Sequence, residues 1–138
     1  GNIGQTLLLV KEIMVSGSKI PKIKITSNIN EASKKITRYN LGLAVVMRNK
    51  IVEGILTDGD ARRSLRYNLK PKNLRKIMNS NPVFISENST ASKALAIMNR
   101  KKITSLLVTS EKNLNSKGKN KDLKGIVHIH SILQFGIK

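Results

Sequence analysis

The chain has 138 residues, 26 Lys plus Arg against 8 Asp plus Glu, a formal net charge of +18 and no Cys. With 39% hydrophobic residues it has enough apolar matter for one domain or two very small ones, and wholesale disorder is excluded. No apolar run approaches the roughly 20 residues a membrane-spanning helix needs, no signal peptide is recognisable, and the absence of Cys removes disulfides, thiolate metal sites and cysteine nucleophiles.

The elements follow in chain order. Residues 1–9 read as a linker or N-terminal arm, and a chain that opens on Gly1 is expected to be a piece of a longer protein. Pro21 to Thr26 reads as a short strand. Asn28 or Asn30 can cap a helix with Ile29, Ala32 and Ile36 on one face, ended by Asn40 and Gly42. Leu43 to Met47 and Ile51 to Thr57 are strands joined by a turn at Asn49-Lys50, with apolarity continuous enough to imply burial on both faces. Asp58 or Asp60 is expected to cap a further helix from Ala61 to Tyr67. The pattern then restarts: a strand from Pro82 to Ser86, a helix from about Ser89 to Lys101, strands over Ser105 to Thr109 and Leu123 to His128, and a closing helix to Phe135.

The restart is a repeat. Ile13-Met14 recurs as Ile77-Met78 (77 − 13 = 64), Ala32 and Ile36 as Ala94 and Met98 (94 − 32 = 62), and Gly54-Ile55-Leu56 as Gly125-Ile126-Val127 (125 − 54 = 71). Ordered blocks at nearly constant offset point to two copies of one unit. The jump from 62 to 71 locates an insertion of 71 − 62 = 9 residues, expected as a mobile hairpin loop over 111–122. The expected fold is α+β: two β-α-β-β-α repeats, residues 10–70 and 71–138, packed about a pseudo-twofold axis because a unit of some 60 residues is marginal alone.

The charge invites a reading as a nucleic-acid binder. Against that, 19 of the 26 basic residues are Lys scattered singly or in pairs, and the four aromatics Tyr39, Tyr67, Phe84 and Phe135 supply no stacking platform. Nucleic acid is therefore the disfavoured partner. No nucleophile with a base, no glycine-rich phosphate loop and no carboxylate pair beyond Asp58 and Asp60 is recognisable, so the chain itself is not expected to be an enzyme.

Gly54-Ile55-Leu56-Thr57-Asp58-Gly59-Asp60 after the last strand of the first copy, the Ile-Met lead-ins and the tandem repeat resemble a pair of CBS domains, the module named after cystathionine β-synthase, over about Val10 to Phe135. More narrowly, Leu41-Gly42, Glu53 to Asp60 and Arg62-Arg63 are similar to the CBS pair of bacterial arabinose 5-phosphate isomerases, whose motif has Leu where this chain has Ala61. Gly1-Asn2-Ile3-Gly4 with Leu7-Leu8 resembles the linker that follows the sugar isomerase (SIS) domain of that family, and His128-Ile129-His130 resembles a feature of its second repeat. The resemblance implies a regulatory module of an isomerase in the synthesis of 3-deoxy-D-manno-octulosonate, a lipopolysaccharide sugar. It implies a cytoplasmic location, an upstream SIS catalytic domain, and a homodimer within a tetrameric parent. No required cofactor is implied. A small anionic ligand in the clefts between repeats is implied, with CMP-3-deoxy-D-manno-octulosonate or an adenosine nucleotide as candidates.

On that reading Asp60 would accept hydrogen bonds from a ribose diol, Thr57 would donate to a phosphate, and Arg63 or Arg62 would supply its cation. Ile20, Pro21 and Ile23 with Leu43 and Ala44 would hold the base. The plainer alternative for Asp60 is an N-cap. In the second repeat His128 stands at the place of Thr57 and Ser131 at that of Asp60 (57 + 71 = 128, 60 + 71 = 131), so the ribose carboxylate is missing. That corner is expected to be vacant for ordinary nucleotides or to take another anion through His128, His130 and Ser131. With no third ligand nearby in sequence, the two His are not read as a metal site. Two competing readings are a nucleic-acid module and a purely structural oligomerisation domain.

Overall fold

The computed structural model describes residues 7–67, 74–116 and 121–138. The first six residues of the expected arm, the expected boundary at residues 70 and 71, and residues 117–120 of the expected loop lie outside the described residues. The fold is α+β, and two compact units divide the chain.

The first unit is Ser18–Pro82. It holds β1 (Lys22–Lys24), α2 (Ile29–Tyr39), β2 (Leu43–Arg48), β3 (Ile51–Thr57) and α3 (Asp58–Arg66), α1 (Val10–Ile13) belonging to the other unit. β2 lies in the middle of its sheet, parallel to β1 and antiparallel to β3. The parallel pair requires a crossover, which α2 supplies. Asn28 starts α2 by accepting the Glu31 amide at 2.8 Å, and Asn40 ends it at φ 57°, a conformation Asn tolerates. Ile29, Ala32 and Ile36 are buried as the spacing requires, against Ile23, Ala44, Val46, Leu56 and Ala61.

The second unit is Val83–Lys138 with the chain up to Gly17. β4 (Phe84–Ser86), α4 (Ala91–Lys101), β5 (Ser105–Thr109), β6 (Gly125–His128) and α5 (Ile129–Gln134) repeat the arrangement, with β5 central. Core positions correspond at the offsets of the repeat: Ile23 with Ile85, Ala44 with Leu106, Val46 with Val108, all at 62, and Ala61 with Ile132 at 71. α4 begins two residues later than expected, and Thr90 caps it by accepting the Lys93 amide at 3.1 Å.

Each lead-in packs on the unit that precedes it or on the far unit, rather than on the strand that follows it. In the first unit Asn79 and Ile55 exchange backbone hydrogen bonds at 2.8 and 2.9 Å; in the second, Val15 and Ile126 do so at 2.9 and 3.0 Å. Gly54 and Gly125 make both bridges possible, because a Cβ at either would overlap the carbonyl oxygen of Asn79 or Val15. Val10 and Leu74, at an offset of 74 − 10 = 64, are buried in the two separate cores.

The segment expected as a hairpin loop is partly regular. Glu111–Asn113 form a 3-10 turn, and one Asp122 oxygen, Oδ1, accepts from the Thr109 hydroxyl at 2.6 Å, the Ser110 amide at 3.1 Å, the Ser110 hydroxyl at 3.0 Å and Asn113 Nδ2 at 3.0 Å. Burial works against the Asp122 charge, but these donors outweigh it and hold the carboxyl well below the usual carboxylate range.

Candidate functional site

The sheet topology of the first unit gathers the expected residues at one end. Leu43 begins β2 and is the register partner of Thr57 at the end of β3, and the Asp58 amide donates to Gly42 at 2.9 Å. β1 runs parallel to β2, and the Pro21 carbonyl accepts from the Val45 amide at 2.8 Å, so Ile20 and Pro21 come to the same end. Ile20, Pro21, Ile23, Leu43 and Ala44 are all buried. They do not share a face: Ile23 and Ala44 enter the helix-side core, whereas Ile20 and Leu43 are not part of it. Strand alternation separates Leu43 from Ala44.

The cap of α3 corrects the expectation. Neither Asp58 nor Asp60 is the N-cap; Thr57 is, and the helix begins at Asp58 rather than Ala61. Thr57 Oγ1 accepts the Asp60 amide at 3.1 Å, and Asp60 Oδ2 accepts the Thr57 amide at 3.2 Å. This reciprocal capping box satisfies donors that a helix start would leave orphaned. It also holds the hydroxyl and the carboxylate half-buried and side by side at the strand end. Asp60 Oδ1 pairs with Arg63, and Asp58 pairs with Arg62 at 2.8 Å, both Arg being exposed. The helical spacings i,i+3 and i,i+4 bring these pairs together.

Sequence reading places Glu53 in the motif but gives it no role. The β2–β3 register steps from Val46–Gly54 to Met47–Val52, leaving Glu53 as the extra residue of a bulge. Its side chain is 0% exposed and pairs with Arg48 at 2.6 Å and with Arg75 at 3.2 Å. A Glu inside an otherwise apolar strand was the available signal.

In the second unit His128 occupies the place of Thr57 within the unit: it ends the third strand and caps the closing helix, with Nδ1 accepting the His130 amide at 3.1 Å. The two imidazoles meet edge to face with centroids 4.7 Å apart. Burial first, and the neighbouring His130 charge second, push His128 below its ordinary value. Its register partner is Ser105, at the place of Leu43 (43 + 62 = 105), and the buried Ser105 Oγ has no hydrogen-bond partner among the described residues. Ser131 is half-buried and His130 exposed.

Two copies of a three-stranded unit, each closing with a capped strand-to-helix corner, define a tandem-repeat α+β module. Residues 10–67 and 74–138 both match the CBS domain, and the chain belongs to the CBS domain family. It is 32% identical over 141 residues to the arabinose 5-phosphate isomerase KdsD of Escherichia coli K12, and 33% identical over 138 residues to an uncharacterised protein of Rickettsia prowazekii. In both cases 99% of this chain is covered, and the chain spans about 40% of the relative's length. Among solved structures, the CBS domain pair of MJ0100 in complex with 5′-methylthioadenosine and S-adenosyl-L-methionine has a TM-score of 0.78, with 21% identity and coverage of 94% of this chain and 96% of that one. The CBS domain of a bacterial CNNM/CorC family Mg2+ transporter in complex with ATP has a TM-score of 0.76, with 19% identity and coverage of 96% and 89%. At these identities the structural likeness speaks for the fold.

Proposed function

We propose that this chain is the regulatory ligand-binding part of an arabinose 5-phosphate isomerase acting in 3-deoxy-D-manno-octulosonate and lipopolysaccharide synthesis. It takes a nucleotide or nucleotide-sugar at the Thr57–Asp60 corner. The chain itself carries out no chemistry; a SIS domain elsewhere in a longer cytoplasmic, dimeric protein does, and the ligand adjusts it. The observation that carries the reading is the capping box, which fixes a hydroxyl and a carboxylate side by side next to two arginines at the end of a sheet. The relation to the isomerases supports the choice of pathway.

The corner keeps its cap while binding. A carboxylate has about four lone-pair sites, so Asp60, engaged by the Thr57 amide and Arg63, has capacity left for a ribose diol. Arg62 and Arg63, paired only at the exposed helix surface, can turn from Asp58 and Asp60 to a phosphate, for which a planar guanidinium is suited. Ile20 and Leu43 offer apolar side chains beside it, and Ile23 and Ala44 contribute through backbone alone. His128 and Ser131 lack the carboxylate that a ribose needs, so the second corner takes no ordinary nucleotide.

Calorimetric titration of the chain with CMP-3-deoxy-D-manno-octulosonate, AMP and ATP tests this. At least one should bind, and Asp60→Ala should weaken it about 10- to 100-fold, the worth of about 1.5 to 3 kcal/mol of charge-assisted hydrogen bonding. Silence from all three at millimolar concentration overturns the reading.

A further inference from the structure

We propose that the first turn of α5 is held by a titratable cap, so that mild acidification loosens this corner of the second unit and leaves the matching corner of the first unit intact. His128 Nδ1 accepts the His130 amide, which requires that nitrogen to be unprotonated and places the ring proton on Nε2. Once Nδ1 carries a proton it is a donor and can no longer accept from an N–H, so the cap and the imidazolium exclude each other. At the matching place, Thr57 Oγ1 accepts from the Asp60 amide in every protonation state it visits between pH 5 and 8.

The surroundings give the released ring an alternative and no compensation for its charge. Ser105 is its register partner on β5, so the two side chains leave the same face of the sheet, and the unpartnered Ser105 Oγ is an acceptor a protonated ring can use. The neutral ring therefore serves the His130 amide and the charged ring serves Ser105. The sequences of α4, β5, β6 and α5 contain no Asp or Glu. α4 carries Lys93, Arg100 and Lys101, all exposed, and on its own helix the ring meets His130 edge to face. α1, which packs on β6, brings exposed Lys11 and Glu12, and the Glu12 carboxylate is already taken by the Leu9 amide at 2.7 Å.

His128 lies below its ordinary value of 6.5 because burial and the His130 charge disfavour the cation. A folded value below the unfolded one means that the unfolded chain binds the extra proton first. The contribution to stability is thus complete above the unfolded value and declines as pH falls through the folded one.

Nitrogen-15 spectra of the imidazoles and amide hydrogen exchange on the chain between pH 8 and 5 test the device. At pH 8 His128 should show the Nε2–H tautomer. On acidification the protection of the His130 amide, corrected for intrinsic exchange, should fall about five-fold, the loss of one cap, while that of the Asp60 amide holds. His128→Thr, which installs the cap of the first unit, should abolish the fall. His130→Ala, which keeps the capped amide but removes the neighbouring charge, should raise the His128 midpoint. An Nδ1–H tautomer at pH 8, a parallel fall at Asp60, or a fall that survives in His128→Thr overturns the proposal. Because the tautomer is read on the unmodified chain, a variant that fails to fold leaves the test decisive.

Discussion

At the end of the third strand of each unit stands the residue that caps the closing helix, Thr57 in the first and His128 in the second. The residue across the sheet is Leu43 in one and Ser105 in the other, and three positions further on stand Asp60 and Ser131. The backbone corner asks only for an acceptor at the N-cap, because the first amides of a helix have no partner within it. Hydroxyl and imidazole both meet that requirement, so the chemistry around the corner was free to diverge. The first corner kept a carboxylate with two arginines; the second became uncharged and titratable. The hairpins differ in the same manner: β2 and β3 meet at a short turn beside the bulged, ion-paired Glu53, whereas β5 and β6 are drawn together by Asp122.

The largest expected effect tests what the units share. Gly54→Ala and Gly125→Ala each force a lead-in off its sheet and should cost about 3 kcal/mol in denaturant unfolding, the upper end of overpacking effects. If one costs far less, the two lead-ins are not equivalent. Asp122→Ala, a change with no counterpart in the first unit, leaves the buried Thr109 and Ser110 hydroxyls without their acceptor and should cost about 2 kcal/mol. The folded carboxyl lies below its unfolded value, so its contribution is present above pH 4 and is lost as pH falls toward the folded value; Asp122→Asn should flatten that acid limb of the stability profile. Thr57→Ala should cost about 1 kcal/mol, as a lost cap does, at every pH from 5 to 8. His128→Ala should cost a similar amount near pH 8 and less near pH 5, which sets the two corners apart in one measurement.

Much of the fold was legible because it is written in local patterns. The face of Ile29, Ala32 and Ile36 follows from helical spacing, the end at Asn40 from its tolerance of positive φ, and the repeat from equal spacings in two places. The candidate corner was legible as a motif, but its geometry was not. Asp60 was weighed as ligand or cap, and the structure shows it as the returning half of a box whose cap is Thr57, a distinction that depends on the φ and ψ of Thr57 rather than on residue type. Glu53 escaped because a bulge reverses which face a side chain takes, and nothing in strand alternation announces one.

The sequence by itself determined the two repeats, their helix faces and the residues available at each corner, since all of these rest on contacts between near neighbours or on periodicity. Tertiary structure alone decided the partners that lie far apart along the chain. Val10 enters a core with Ile132, Ser105 faces His128 without a hydrogen bond, and Asp122 collects its donors across the insertion. Such pairings are chosen by the closing of sheets and the exclusion of a Cβ at two glycines, and neither leaves a period in the sequence.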